Sequence, residues 1–256
     1  MYTISLNFKV TDTFEIESQM DVVNSLLGAW RMNGQILGDQ FPTAKTELGY
    51  FVYVNTLECD SISDQNRNKY VKKYADALTE VGLSKPEAVV VGKEPECQDS
   101  CTCLSTEFYI LYTTYVTLET PLRCGHCFNP VPLYKIPKTY DDEYYNIICW
   151  QSDYQSCDSL QMNCTVGERF ANNQMGTLES PLCRLGFEVG ESISSKTGKP
   201  VYYYLYKGAG KNYEAEASRK CPKCSGAWAQ SEPLHGIFDF MCGECKLLSN
   251  IAWNVQ

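Results

Sequence analysis

The sequence predicts an α+β protein, with a mixed α/β N-terminal lobe, a helical middle segment and a short cysteine-rich C-terminal segment. Strand-like and helix-like patterns alternate over the first 120 residues, helical spacing dominates the middle of the chain, and paired cysteines lie near its end. With 256 residues, 44% of them hydrophobic and 21% charged, the chain can bury a core without disulfides. We divide it into an acidic α+β lobe over residues 1–120, a Pro-rich hairpin, helices and a strand over 121–213 that continue the main body, and a ribbon over 214–256.

The N-terminal lobe is predicted from the alternation of two kinds of segment. Four segments have the β-branched and aromatic residues of strands: 4–10, 49–57, 86–92 and 106–118. Two segments, 21–31 and 63–81, have the apolar spacing of helices, and the second is predicted to begin at a Ser63 or Asp64 cap. This pattern favours a sheet that is covered by helices.

The middle segment combines a punctuated loop with helical patterns. Residues 121–142 contain four prolines and are predicted to form a loop or a short hairpin. Residues 141–162 and 183–194 carry apolar and aromatic side chains at helical spacing, and the strand-like PVYYYLY at 200–206 follows the turn sequence TGKP. The segment is therefore predicted to be mainly helical, with one strand.

The C-terminal segment carries four cysteines at the spacing of metal ligands. Cys221 and Cys224 form one Cys-x2-Cys unit, seventeen residues follow, and Cys242 and Cys245 form a second unit. Two such knuckles joined by a hairpin direct four thiolates to one point, which is the tetrahedral shell that suits Zn²⁺. The segment is predicted to be a zinc ribbon whose ion is structural, because four cysteine ligands leave no position for water or substrate.

Other residues of this zinc ribbon are assigned supporting roles. Gly243 is expected to help the second knuckle turn tightly, and Pro222 and Lys223 are expected to do the same in the first. His235 lies between the knuckles and is expected to be a surface or hairpin residue rather than a ligand, since four sulfur ligands are already present.

A third Cys-x2-Cys unit, Cys124-Gly-His-Cys127, allows three interpretations. The favoured one is a tight turn with buried thiols; the others are a second metal knuckle and a redox site. A redox pair normally begins a helix, whereas the residues after Cys127 include two prolines that prevent a helix from starting cleanly. A second metal site needs two more ligands, and the candidates are Cys101, Cys103, Cys149, Cys157 and Cys164.

The charge of the chain is negative and unevenly placed. The formal net charge is -9, and residues 1–120 hold 17 acidic against 9 basic side chains, a net charge of -8. A field of this sign repels phosphate and attracts basic partners. The acidic surface is interpreted either as a solvated face that keeps the protein soluble or as a face that binds a partner.

The sequence carries few signs of membrane targeting or of catalysis. The N-terminal MYTISLNFKV alternates like a strand and unlike a secretory signal, and no stretch approaches the ~20 apolar residues of a membrane helix. A cytoplasmic protein with reduced thiols is predicted. With two histidines and no Gly-rich phosphate loop, the chain is predicted not to be an enzyme.

Several segments together resemble a known family: LRCGHCFNPVPLYKIP, CWQSDYQSCDSLQMNCTVGE, PVYYYLY and the ribbon RKCPKCSGAWAQSEPLHGIFDFMCGECKLLSNIAW. They are similar to a family of bacterial proteins of unknown function that is described as zinc-ribbon-containing and nucleic-acid-binding. The resemblance covers about residues 120–256. Proteins of this kind also resemble immunity proteins against secreted effector nucleases of the PD-(D/E)xK type.

The resemblance to immunity proteins agrees with the charge, and the nucleic-acid label does not. We expect an immunity or inhibitor protein whose acidic lobe is steered to the basic groove of a cognate nuclease toxin and covers it. The alternative is a regulatory zinc-ribbon protein that binds nucleic acid through Arg219, Lys220, Lys223 and Lys246, with Trp228 and Phe238 as stacking platforms. The other interpretation of these two aromatic residues, which we favour, is that they pack the ribbon against the main lobe.

Overall fold

The computed structural model describes residues 1–12 and 15–255. Residues 13 and 14 of the predicted N-terminal lobe and residue 256 of the predicted ribbon lie outside the described residues. The chain forms two compact units: unit 1 comprises residues 1–100, 118–120 and 129–145, and unit 2 comprises 101–117, 121–128 and the residues from 146 onward. Each unit contains helices and a sheet, so the predicted α+β class is confirmed. No described helix is both long and apolar enough to cross a lipid bilayer.

Unit 1 is a four-stranded antiparallel sheet with two helices inserted between its strands. In sheet order the strands are β2, β3, β1 and β4. The chain order β-α-β-β-α-β with this sheet order is the ferredoxin-like arrangement. The elements are β1 (Tyr2–Lys9), α1 (Ile16–Met32), β2 (Thr43–Thr46), β3 (Gly49–Thr56), α2 (Lys69–Glu80) and β4 (Glu87–Lys93).

The core of unit 1 follows from the alternation in β1. Ile4, Leu6 and Phe8 are each at most 1% exposed and belong to one cluster with the apolar face of α1. Trp30 of α1 is the largest fully buried side chain in this cluster. Successive strand residues point to opposite faces, so one face of β1 supplies the core.

Two predicted elements of the N-terminal lobe are shorter in the structure. The helix predicted from residue 63 begins at Lys69, because Asn68 is the N-cap and its side chain accepts a hydrogen bond from the Val71 backbone N–H. The strand predicted over 106–118 is reduced to Tyr109–Leu111. The short strand β2 and the helix over Glu168–Gly176 were not predicted.

Within unit 1, Glu58 connects the segment 129–145 to the N-terminal part of the chain. This carboxylate accepts hydrogen bonds from Ser100 Oγ at 2.8 Å, Tyr134 Oη at 2.7 Å and Lys135 Nζ at 2.5 Å. Burial of Glu58 opposes its ionised form, but these hydrogen bonds outweigh burial and lower its pKa.

Replacing this carboxylate by an amide, Glu58→Gln, is expected to lower the free energy of unfolding by about 1–2 kcal/mol at pH 7. Since the pKa of Glu58 is lower in the folded state, its contribution is present above the unfolded pKa and is lost as the pH falls through the folded value. Urea unfolding of the variant and the wild type at pH 7 and at about pH 3 measures this loss. Glu47→Gln, at an exposed position between β2 and β3, is the control; an equal effect from both variants contradicts the assignment.

Unit 2 is built on a six-stranded sheet that draws strands from all three predicted segments. In sheet order the strands are β6, β5, β7, β10, β9 and β8, and β7 is parallel to both of its neighbours. The strands of the ribbon therefore continue the main sheet of this unit. They are β5 (Tyr109–Leu111), β6 (Leu122–Cys124), β7 (Val201–Leu205), β8 (Ala229–Leu234), β9 (Phe238–Cys242) and β10 (Leu247–Ser249).

Four helices accompany this sheet: α3 (Tyr145–Asn163), α4 (Glu168–Gly176), α5 (Pro181–Thr197) and α6 (Tyr213–Ala217). The helices predicted over 141–162 and 183–194 correspond to α3 and α5. α5 begins at a Ser180 cap, followed by a proline in its first turn, and ends at Gly198 in the left-handed conformation.

Candidate metal centres

The four cysteines of the predicted zinc ribbon lie together in unit 2. Cys221 and Cys224 form the knuckle before β8, and Cys242 and Cys245 lie at the turn between β9 and β10. Their four Sγ atoms are all within 4.8 Å of one another, and Cys224 Sγ is 3.7 Å from Cys242 Sγ. Tetrahedral coordination with Zn–S bonds of about 2.3 Å places sulfur atoms about 3.8 Å apart. We call this group the ribbon centre.

A second group of four cysteines lies elsewhere in unit 2. Cys101, Cys103, Cys124 and Cys127 also have their Sγ atoms within 4.8 Å of one another, and Cys127 Sγ is 3.6 Å from Cys101 Sγ. Cys124 is the last residue of β6 and Cys127 follows it, whereas Cys101 and Cys103 lie in the loop before β5. We call this group the loop centre; like the ribbon centre, it can hold a metal ion.

Pairing between β5 and β6 assembles the loop centre. Tyr109 lies opposite Cys124 in the antiparallel ladder, and the Gly125 N–H donates to the Phe108 carbonyl at 3.0 Å. This register brings the residues just before β5 beside the knuckle that follows β6. Gly125 is needed for this close approach, because a Cβ at this position would lie 2.5 Å from the Phe108 ring.

The knuckle over 124–127 has the backbone geometry of the ribbon knuckles. The N–H of Phe128 donates to the carbonyl of Cys124 at 2.9 Å, as the N–H of Ser225 donates to that of Cys221 at 2.8 Å. Phe128, Ser225 and Lys246 each follow a second knuckle cysteine and have φ values of 61°, 60° and 54°. Of the three interpretations of this unit, the structure favours the metal knuckle. The favoured expectation of an isolated tight turn is corrected: the turn is tight, but its thiols meet two others.

The same geometry corrects the expected role of Gly243. The left-handed residue of each knuckle follows the second cysteine, and Gly243 lies between the cysteines without a positive φ. The left-handed conformation is therefore adopted by Lys246 in the second ribbon knuckle and by Ser225 in the first, and not by Gly243.

The electrostatics of both centres favour a bound cation. Burial opposes ionisation of Cys124, but hydrogen bonds to its sulfur, among them those from the N–H groups of Cys127 and His126, lower its pKa to about 6. Burial also opposes ionisation of Cys242, but hydrogen bonds to its sulfur, including one from the Cys245 N–H, lower its pKa. The pKa of Cys245, in contrast, is raised by burial and by the neighbouring cysteines. Four sulfur atoms this close cannot all ionise unless a cation neutralises them, and thiolates are the ligands of Zn²⁺.

His235 is a hairpin residue, and it connects the ribbon to the loop centre. It lies in the turn between β8 and β9, stacks on Phe128 with ring centroids 4.9 Å apart, and has its Nε2 3.0 Å from the Gly125 carbonyl oxygen. Burial lowers the pKa of His235, which favours the neutral ring. The hairpin between the two ribbon knuckles therefore supports the knuckle of the other centre.

The sequence predicted the ribbon centre, but it did not decide which cysteines join Cys124 and Cys127 in the loop centre. Cys101 and Cys103 were among five candidate partners, and Cys149, Cys157 and Cys164 are not in either group. The available signal was the close pair Cys101-Thr-Cys103, which resembles half of a site; its distance along the chain from Cys124 has no characteristic value.

The candidate stacking residues of the ribbon are packing residues. Trp228 is 2% exposed and Phe238 is fully buried. Arg219 lies 3.4 Å from a Glu216 carboxylate oxygen, donates to the Asn250 carbonyl at 2.8 Å, and covers the rings of Trp228 and Phe240.

Comparison with known proteins covers nearly the whole chain. Three family models match it, each described as a domain of unknown function: DUF8589 over residues 1–92, DUF2310 over 103–206 and DUF8594 over 210–255. An uncharacterized protein of Haemophilus influenzae is 34% identical over 99% of both chains, and a second is 36% identical over 64% of this chain and 81% of its own. A crystal structure from Deinococcus radiodurans, named as an antibiotic biosynthesis monooxygenase, covers 40% of this chain and 99% of its own at 11% identity, with a TM-score of 0.26.

The fold and the two centres define an α+β protein of two units, one of which has two groups of four cysteines that can hold a metal ion. The chain belongs to the family of the full-length Haemophilus influenzae relative, with the DUF2310 domain in its middle.

Proposed function

We propose that this protein acts by binding a basic partner protein rather than by turnover, on a scaffold held together by two structural zinc ions. The observation that carries the proposal is the charge of unit 1, which holds 19 acidic and 11 basic side chains, a net charge of -8. Unit 2 holds 12 acidic and 11 basic side chains, a net charge of -1. Charge concentrated on one unit steers association with a partner of opposite sign.

The partner class we propose is a nuclease toxin, with this chain as its immunity or inhibitor protein. A nuclease needs a basic groove to bind its phosphate substrate. An acidic protein that enters this groove competes with the substrate and blocks the reaction without any chemistry of its own. The proposed site of action is the cytoplasm, where the thiols of both centres stay reduced and available for zinc.

The sheet edge of unit 1 offers a contact surface for such a partner. β4 is an edge strand, and Val89, Val90 and Val91 are 55%, 47% and 60% exposed. Glu94 and Glu96 follow directly along the chain. Exposed apolar side chains at the edge of a sheet, with carboxylates beside them, match the apolar core and polar rim of protein interfaces.

The metal centres support a structural role for zinc. Each offers four sulfur ligands, which fill a tetrahedral shell and leave no position for substrate. Catalytic zinc normally keeps such a position open, so we assign no catalytic role to either ion.

The contacts within the ribbon favour a protein partner over nucleic acid. The aromatic residues that would stack on bases are buried, and Arg219 is occupied by contacts within the protein. Affinity for single strands depends on exposed aromatic platforms beside clustered cations.

The test is capture of the product of the adjacent gene, followed by a nuclease assay with and without this protein. We expect inhibition of the nuclease, and a complex whose association slows about tenfold or more between 50 and 300 mM salt. A variant with four exposed carboxylates of unit 1 neutralised, at Glu17, Asp21, Glu47 and Glu96, is expected to associate about tenfold more slowly.

The matched control neutralises four exposed carboxylates of unit 2, at Glu168, Glu179, Glu188 and Glu191, and is expected to associate within about twofold of the wild type. Equal effects of the two variants would contradict the assignment of unit 1. Tight binding of DNA or RNA at 150 mM salt, without binding of the adjacent gene product, would replace the proposal by the nucleic-acid alternative.

A further inference from the structure

Unit 2 contains a cavity of about 420 Å³ that neither metal centre uses. Its walls come from four parts of the chain: residues 112–116 after β5, helix α3, the end of β7 with the residue following it, and Trp253. Its volume is in the range of sites for small molecules. Six aromatic side chains line it: Tyr112, Tyr115, Tyr154, Tyr204, Tyr206 and Trp253.

One charged residue, Asp158 of α3, is among the lining residues of this cavity. It is 9% exposed, and its Oδ2 accepts a hydrogen bond from the Tyr115 backbone N–H at 2.7 Å. Within the described ranges 1–12 and 15–255, no basic side chain forms an ion pair with Asp158. Burial raises the pKa of Asp158 in spite of its hydrogen bond. A carboxylate buried without a counter-charge is costly, and a cationic ligand would offset this cost.

A second acceptor lies three residues further along the same helix. The Oε1 atom of Gln161 is buried and accepts no hydrogen bond from the described residues. Residues three apart in a helix share a face, so Gln161 and Asp158 line the same wall of the cavity. The Gln161 oxygen has no donor among the described residues, and the Asp158 carboxylate accepts a backbone hydrogen bond but has no ion-pair partner there. Together they favour a ligand that carries N–H groups as well as positive charge.

The aromatic walls are already positioned for a ligand. Tyr154 and Tyr204 are nearly fully buried, and the Tyr204 hydroxyl donates to Asn250 Oδ1 at 2.9 Å. Gln155 holds the loop of the opposite wall through hydrogen bonds from its Nε2 to the carbonyls of Thr114 at 3.1 Å and Thr117 at 2.5 Å. Aromatic faces attract organic cations, most strongly where water is excluded.

We propose that this cavity binds a protonated organic amine, whose ammonium group donates to the Asp158 carboxylate and Gln161 Oε1 and whose apolar group lies among the tyrosine rings. Tyr115 and Trp253 line the cavity and are about half exposed. A neutral ligand leaves the charge of Asp158 unpaired, and an anion is repelled by it.

The test uses the full-length, metal-loaded protein and isothermal titration calorimetry at pH 7. Phenethylamine and tryptamine are the probes, each compared with the alcohol that replaces its amino group. We expect each amine to bind with one-to-one stoichiometry and about tenfold or more tighter than its alcohol, because a hydrogen bond to a buried charge is worth that factor. Asp158→Asn is expected to abolish this preference.

Asp153→Asn is the matched control, since Asp153 is an exposed carboxylate on the same helix, and it is expected to keep the preference. Gln161→Leu, which removes the second acceptor, is expected to weaken binding of both amines. This variant tests the proposal if Asp158→Asn does not fold. Binding of neither amine, equal binding of amines and alcohols, or an equal loss in the Asp153 variant would overturn the proposal.

Discussion

Protein purified under reducing conditions in the presence of zinc is expected to bind two equivalents of the metal per chain, and the double variant Cys221→Ser/Cys242→Ser to bind one. The ribbon spacing alone predicts a single equivalent; the four close sulfur atoms of the loop centre add the second. Loss of a structural zinc removes on the order of 10 kcal/mol of local folding energy. The ribbon of this variant is therefore expected to unfold and become sensitive to protease, and the metal content of the purified protein is measured by elemental analysis.

The variant Cys101→Ser/Cys127→Ser is expected to lose the other equivalent. Cys149→Ser/Cys164→Ser is the matched control, because neither thiol belongs to a group of four, and it is expected to keep both equivalents. Retention of two equivalents after removal of the loop centre would contradict that site, and absence of metal from intact, reduced protein would contradict both.

Adding a single methyl group at Gly186 is expected to destabilise unit 2 by about 3 kcal/mol. Gly186 lies on α5 where this helix packs against β7, and a Cβ there would be 2.1 Å from Tyr203 Cε2 and 2.8 Å from Trp150 Nε1. Both ring systems are buried, so neither can move away without disturbing its own contacts. Thermal and urea unfolding of Gly186→Ala measure the loss.

Gly190→Ala supplies a control with the opposite sign. It is the same substitution one turn later in the same helix, but the new Cβ would lie 3.6 Å from Val201 Cγ1, an ordinary contact. Alanine favours a helix interior over glycine by about 0.5–1 kcal/mol, so this variant is expected to be slightly more stable than the wild type. A Gly186 variant as stable as the Gly190 variant would mean that α5 and β7 are not packed as described.

The link between the two centres explains why the ribbon need not fold alone. Its strands β8 to β10 extend the sheet of unit 2, and His235 at the tip of its hairpin contacts the backbone of the loop-centre knuckle. Two groups of four cysteines that can hold a metal ion therefore lie at the same sheet. This arrangement agrees with the proposed role of zinc as structural.

Both proposed ligands are positively charged, but the two proposals are separate because they rest on different units of the chain. Unit 1 carries the net charge of -8 that is proposed to attract a basic protein, whereas the aromatic cavity with Asp158 belongs to unit 2. Failure of amine binding would therefore leave the partner proposal standing, and the converse also holds.

Features encoded over short distances were predictable from the sequence. The α+β class follows from alternating patterns, and the helices α1 and α5 follow from apolar spacing. Cys221 and Cys242 were recognised as members of one site because two Cys-x2-Cys knuckles separated by a hairpin's length meet through local folding. Hydrogen bonding inside each knuckle depends only on neighbouring residues, so spacing is sufficient to reveal it.

Features that require distant segments to meet were decided by the tertiary structure. Cys101 reaches Cys127 only because β5 and β6 pair in one register, and no residue spacing records that register. Residues 113–117 have a strand-like sequence but do not pair in the sheet, because their backbone groups form hydrogen bonds with the side chains of Gln155 and Asp158 on α3. The sequence by itself thus determined which local units form, while long-range pairing and packing decided which of their side chains share a site.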